Sequence, residues 1–411
     1  MHSFLTRALR AEPHELPALA WAFAYFFLLL SSYYVLRPVR DALAVELGAQ
    51  ALKQLFTATL AAMLALVPVF GWLASRLPRA RLMPAVYAFF VVNLLVFTLE
   101  LDARVFFVWL SVFNLFVVSV FWSFMSDIFD TRQAARLYGT IAAGGSCGAI
   151  AGPLIAALLP QSRVLLILSA LLLAATIVCI RALARWAGTH PRAAEPPPEA
   201  PLGGSILAGA RAALTSPFLL AICGYLLCYT ALSTALYFQQ VEIVRDAVPD
   251  PQERMRLFAS VDLLVNGLTL AIQVLAFSRL AGLLGPAGML AAVPLLSVAG
   301  FAWLGATPTL TALIAFGVIR RVGEFSISKP AREALFTVVP REERYKAKNF
   351  IDTVIYRGGD ALAGWLFAGV SAFAAAAVAV AWTALALFLG VRMKSWTGDD
   401  ARSSPRLQRQ R

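Results

Sequence analysis

Charge is what this sequence most lacks. Asp, Glu, Lys and Arg make up 14% of its 411 residues, where about 25% is usual for a soluble domain. Histidine is nearly absent: His2, His14 and His190 are the only three, and none lies in a long apolar run. No HExxH or HxxxxD set exists, so neither a zinc hydrolase nor a histidine-based acyltransferase is built here. No GxxxxGK[ST] run exists either, which excludes P-loop ATP hydrolysis. The four cysteines (Cys147, Cys179, Cys223 and Cys228) form no CxxC pair and sit in apolar stretches, as small packing residues do. These absences predict a chain that is not an enzyme and has no metal or cofactor.

Apolar residues are what is there, at 60%, with a mean hydropathy of +0.74. A soluble fold must still cover itself with polar surface, so this excess belongs in lipid. A membrane-crossing helix needs about 20 mostly apolar residues. Such runs fall at 17–36, 55–74, 82–100, 105–124, 138–159, 164–183, 217–238, 258–277, 287–306, 309–328, 349–369 and 372–391. The alternation of a β-barrel strand is missing, so the spans are helices. With the N-terminus inside, Lys and Arg favour the cytoplasmic side roughly threefold. That places both termini in the cytoplasm of a multi-pass protein of the bacterial inner membrane. The net charge of +12 is then a topology signal and not a nucleic-acid footprint. The first apolar run ends in Tyr33, Tyr34 and Arg37 instead of a small-residue cleavage site, so it stays as the first helix.

The longest internal connection, 185–216, contains AEPPPEAPLGGS and cannot pack as a helix. It separates six spans in 1–184 from six in 217–395, with a basic cytoplasmic tail at 396–411. The tail suits anionic lipid headgroups. The halves echo one another. Gly71–Arg81 after the second span matches Phe277–Pro286 after the eighth, and the basic loops Asp127–Arg136 and Arg341–Lys348 each lead into a helix with paired glycines. Two pseudo-symmetric six-helix halves resemble the major facilitator architecture. In the loop Gly71–Arg81, Ser75 stands where that superfamily usually has Asp, and Pro78 where it has Gly.

Gly144, Gly148 and Gly152 recur every fourth residue, which gives one helix face a surface for close backbone approach. A charge inside a span is a functional signal, because burying it in lipid is costly. The first span closes on Arg37, Arg40 and Asp41, with Lys53 following. Asp262 lies in the eighth span, Arg320, Arg321 and Glu324 in the tenth, and Asp352, Arg357 and Asp360 in the eleventh. Glu324 is four residues after Arg320 and three after Arg321, so either pair can share a helix face. Five arginines (37, 40, 320, 321 and 357) stand against five acids (41, 262, 324, 352 and 360), so internal salt bridges compete with ligand binding as the explanation.

The run Tyr34-Val-Leu-Arg37-Pro-Val-Arg40-Asp41-Ala-Leu-Ala-Val45 resembles the ATP/ADP antiporter family. The stretches Phe121–Ala134 and Lys329–Asp352 resemble bacterial relatives of that family. The resemblance implies a twelve-helix exchanger in which Arg37 and Arg40 attract phosphate beside Asp41. The facilitator layout implies that spans one, four, seven and ten line a central cavity. Arg37, Arg40, Asp41, Lys53, Tyr229, Arg320, Arg321 and Glu324 are then candidate substrate contacts. Asp262, Asp352, Arg357 and Asp360 are candidate coupling or gating groups. The leading expectation is a monomeric secondary transporter of an anionic metabolite, nucleotides first. The alternative is a proton-coupled carrier of a drug or organic ion, in which Asp262, Glu324 or Asp360 titrates.

Overall fold

The computed structural model describes the backbone of residues 11–76, 79–189, 214–336, 339, 347–348, 350–367 and 369–403. Ser75 (its side chain), Pro78, most of the linker, Arg341–Lys346, the side chain of Asp352 and the end of the tail lie outside the described residues. The helices are α1 (Leu16–Arg76), α2 (Arg79–Leu99), α3 (Ala103–Ile128), α4 (Thr131–Leu158), α5 (Ser162–Thr189), α6 (Pro217–Ala247) and α7 (Pro251–Leu275). They continue with α8 (Phe277–Ala306), α9 (Leu310–Gly323), α10 (Lys329–Leu335), α11 (Tyr356–Leu366) and α12 (Ala372–Ser403). Two π-turns, Glu324–Ser328 and Ile351–Ile355, join α9 to α10 and lead into α11.

Among the described residues, nine helices are long and apolar enough to cross a membrane. Ten of the twelve sequence runs map onto these nine helices. The helix α1 carries the first two, bent at Gly48, whose φ of 78° is open mainly to glycine. The tenth and eleventh runs are split by the π-turns into pieces too short to count. Gly285, at φ 60°, makes the corresponding break near the start of α8. This is an all-α, multi-pass membrane protein.

The chain divides into two compact units, Met1–Pro196 with Val244–Asn266, and Pro197–Ile243 with Gly267–Arg411. In the first unit α4 lies against the first half of α1. A Cβ on Gly144 would stand 2.5 Å from the carbonyl oxygen of Phe23, one on Gly148 2.4 Å from that of Phe27, and one on Gly152 2.7 Å from Cβ of Tyr34. The every-fourth spacing therefore lays backbone on backbone along two turns. Ser32 and Ser169 bind each other's carbonyls at 3.1 and 3.0 Å and tie α1 to α5. Tyr25 packs edge-on against Phe121 of α3. The end of α6 and the first part of α7 complete this unit, with Asn266 donating to the carbonyl of Ala149 at 2.7 Å.

The second unit repeats the plan. Gly359 of α11 faces Leu227 and Thr230 of α6, as α4 faces α1. Gly390 of α12 meets the backbone of Ala287 in α8, and α2 packs on α5 in the same relation. Away from these seams apolar side chains stay exposed, among them Phe89, Val92, Val96 and Leu99 on one side of α2. Such a face is stable against hydrocarbon and not against water.

Candidate functional site

Two arginines at the end of the first span, Arg37 and Arg40, are paired with acids of their own unit. Arg37, near the end of the first span, sends Nη1 to 3.5 Å from Oδ1 of Asp262, a carboxylate only 1% exposed. Its guanidinium also lies 5.9 Å from the ring centre of Tyr34. Arg40 folds onto its neighbour Asp41 through Nε at 3.0 Å and Nη2 at 2.7 Å, and covers the Phe107 ring. The phosphate-attracting pair expected from the sequence is thus engaged by two internal acids. Lys53 sits half-buried beyond the Gly48 bend.

The second unit holds a different kind of cluster. Tyr229 of α6 forms its floor. Arg320 of α9 and Arg332 of α10 place their guanidinium carbons 5.5 and 5.7 Å from the centre of that one ring. Tyr356 and Trp382 flank it at 6.0 Å each. Arg332 donates through Nη1 to Oε1 of Glu324 at 3.1 Å. Tyr225, one turn before Tyr229, shares a 2.8 Å hydrogen bond with Ser328 in the π-turn. Arg357 and Asp360 pair one turn apart at 3.8 Å.

Arg320 is the exception among these arginines. It is 4% exposed, and among the described residues no carboxylate comes within ion-pair distance of it. Its Nη2 donates to Oγ of Ser233 at 2.8 Å and to the carbonyl of Tyr229 at 3.5 Å, while its Nε has no partner among the described residues. The second oxygen of Glu324 is likewise buried without one.

The expected pairing of Glu324 with Arg320 or Arg321 is corrected here. Its ion partner is Arg332, eight residues on. Eight residues of plain α-helix overshoot two turns by about 80°. The π-turn at Glu324–Ser328 absorbs one residue without advancing the helix and so restores the alignment. Arg321 is only half-buried, unlike its neighbour Arg320. Arg332, Ser233, Tyr356 and Trp382 were not among the candidates. Arg332 reads in the sequence as one more basic residue of a cytoplasmic loop.

A sequence profile described as the Major Facilitator Superfamily matches residues 21–359. The chain belongs to the Major Facilitator Superfamily. Solved transporter structures share the fold over 94–96% of the chain. A bacterial homologue of the human lysosomal transporter Spinster, inward-facing and unoccupied, is 13% identical with a TM-score of 0.60, covering 96% of this chain and 100% of that one. The nucleoside transporter NupG is 12% identical with a TM-score of 0.64, covering 94% and 99%. The POT family transporter PepTSo is 14% identical with a TM-score of 0.61, again covering 94% and 99%. A search of curated proteins finds no match. The protein is therefore a superfamily secondary transporter, not an enzyme. The comparisons reach the superfamily and not the nucleotide-exchanging branch that its motifs resemble.

Proposed function

We propose that the protein carries an anionic metabolite across the bacterial inner membrane by alternating access, acting as a monomer with both termini in the cytoplasm. The observation that carries this reading is Arg320. A buried guanidinium without a carboxylate costs several kcal/mol or more in a membrane protein. A ligand anion repays that cost when it binds, and the planar fork favours a carboxylate or phosphate. The Tyr229 ring beneath it, itself flanked by Tyr356 and Trp382, suits a planar group on the same ligand. Arg37 and Arg40 have internal partners, so they rank behind Arg320 as ligands. The resemblance of the Arg37–Val45 run makes nucleotides the first substrates to test, with exchange as the mode.

The test is uptake of labelled ATP and AMP into proteoliposomes preloaded with nucleotide, without a proton gradient, followed by the same assay with a panel of organic acids. Arg320→Ala should abolish uptake of whichever anion is carried, with unchanged reconstitution. Full transport by Arg320→Ala sinks the anion reading. Loss of uptake only when a proton gradient is collapsed would favour the proton-coupled alternative, with Asp262, Glu324 or Asp360 as carrier.

A further inference from the structure

Three ionisable groups gather at the Tyr229 ring among the described residues: Arg320, Arg332 and Glu324. The next pair along, Arg357 with Asp360, cancels within itself. With all three ionised, these described groups sum to one positive charge, and Arg320 is the member with no carboxylate within ion-pair distance among the described residues. The carboxylate of Glu324 is 3% exposed and holds Arg332 through a single hydrogen bond, its other oxygen unbonded. That is poor geometry for a purely structural bridge, since buried ion pairs repay their desolvation only when the remaining lone pairs are satisfied. It is the geometry of a charge kept in place to offset another.

We propose that Glu324 is a built-in counter-anion that sets the charge class of the ligand. With Glu324 ionised, Arg320 and Arg332 together accept a ligand presenting one anionic group. A ligand with two would leave the cluster with a surplus negative charge, and in this dry setting a surplus charge is strongly disfavoured. Removing the Glu324 charge releases Arg332 and turns the same cluster into a site for two anionic groups. The proposal rests on the reading of Arg320 as an anion ligand, and within that reading it ranks singly charged organic acids ahead of the multiply charged nucleotides that the resemblance of the Arg37–Val45 run puts first.

The experiment compares benzoate with phthalate, the same ring bearing one or two carboxylates, and nitrate with sulfate, by thermal shift and titration calorimetry on the purified full-length protein. Wild type should bind the singly charged member of each pair more tightly, by about tenfold. Glu324→Gln should reverse the order. Glu324→Gln with Arg332→Gln restores one surplus charge and should restore the original order. Arg332→Gln alone leaves no surplus and should lose anion binding. The wild-type preference needs no variant to fold, so it stands as a test by itself. A wild type that favours the doubly charged probes overturns the proposal, as does an unchanged order in folded Glu324→Gln, or the absence of any Arg320-dependent binding in either pair. Arg320-dependent transport with an unchanged order in Glu324→Gln would overturn this inference and leave the anion reading standing. Transport indifferent to Arg320 would overturn both.

Discussion

Arg332 reaches Glu324 from eight residues away, and the π-turn between them is what brings the two to 3.1 Å. Both ends of the pair are buried or nearly so. Breaking such a pair from one side leaves an uncompensated charge and costs about 3–5 kcal/mol, whereas removing both ends together costs much less. Glu324→Gln and Arg332→Gln should each lower the unfolding midpoint in detergent, and the double variant should lose less than the sum. Additive losses would mean that the two side chains do not act on each other.

A second pair is asymmetric in a way that can be measured. The hydroxyl of Tyr25 donates to that of Tyr87 at 2.6 Å, and Tyr87 donates to the carbonyl of Val117 at 3.2 Å. Both rings are fully buried. Tyr87→Phe removes the acceptor for Tyr25 and strands a buried donor, at about 1–3 kcal/mol. Tyr25→Phe leaves the bond from Tyr87 to Val117 intact and should cost nearer 1 kcal/mol. Thermal unfolding of the two variants checks the order, and an equal or inverted cost would contradict the direction of the chain.

The spans were legible because their cause is local: a run of about 20 apolar residues has one stable form in lipid. The glycine spacing 144, 148 and 152 was legible for the same reason, since a period of four on a helix is one face. Arg320 and Tyr229 stood out as polar groups in apolar runs. What could not be read is set by packing between elements. Arg332 lies where basic residues mark topology, and only the π-turn, which has no sequence signature, brings it back to Glu324. Arg37 and Arg40 matched a motif, but a motif does not say that Asp262, more than two hundred residues later, already occupies the first guanidinium.

The glycine seam gives a prediction with its own control. A Cβ on Gly148 would stand 2.4 Å from the carbonyl oxygen of Phe27 and 3.0 Å from the amide of Ser31, both backbone atoms that cannot turn aside. Gly148→Ala should therefore force α1 and α4 apart, at about 1–3 kcal/mol or more. On the same helix Gly139 has nothing within 4 Å of its added Cβ, and Gly139→Ala should be neutral or gain about 0.5–1 kcal/mol from helix propensity. Thermal midpoints of the two variants decide it. If transport fell with Gly148→Ala while the midpoint held, the seam would have to move during the cycle and not merely pack.

Glu15, just before α1, gives the pH dependence. Its carboxylate is 1% exposed, and it accepts from the amide of Glu12 at 2.8 Å, from Nε2 of Gln133 at 2.9 Å and from both terminal nitrogens of Arg136 at 2.9 and 3.2 Å. Burial alone would raise its pKa. The bonds from Glu12 and Gln133 and the charge of Arg136 outweigh burial and hold the carboxyl below its ordinary value. Gln133 also closes the capping box of Asp130 at the start of α4, so Glu15 ties the loop before α4 to the entry of the first span. A carboxyl whose pKa is depressed by folding adds stability that is complete above its unfolded value, near 4.3, and is lost as pH falls through the folded one. Glu15→Gln should therefore unfold at a lower temperature than wild type at pH 7, by about 1.5–3 kcal/mol. The gap should narrow as the pH falls below the unfolded value near 4.3, because the unfolded wild-type chain then takes up a proton that the folded carboxylate still refuses, an uptake the variant cannot make. A gap that stayed constant from pH 7 to pH 3.5 would assign the contribution of Glu15 to packing and not to its ionised hydrogen bonds.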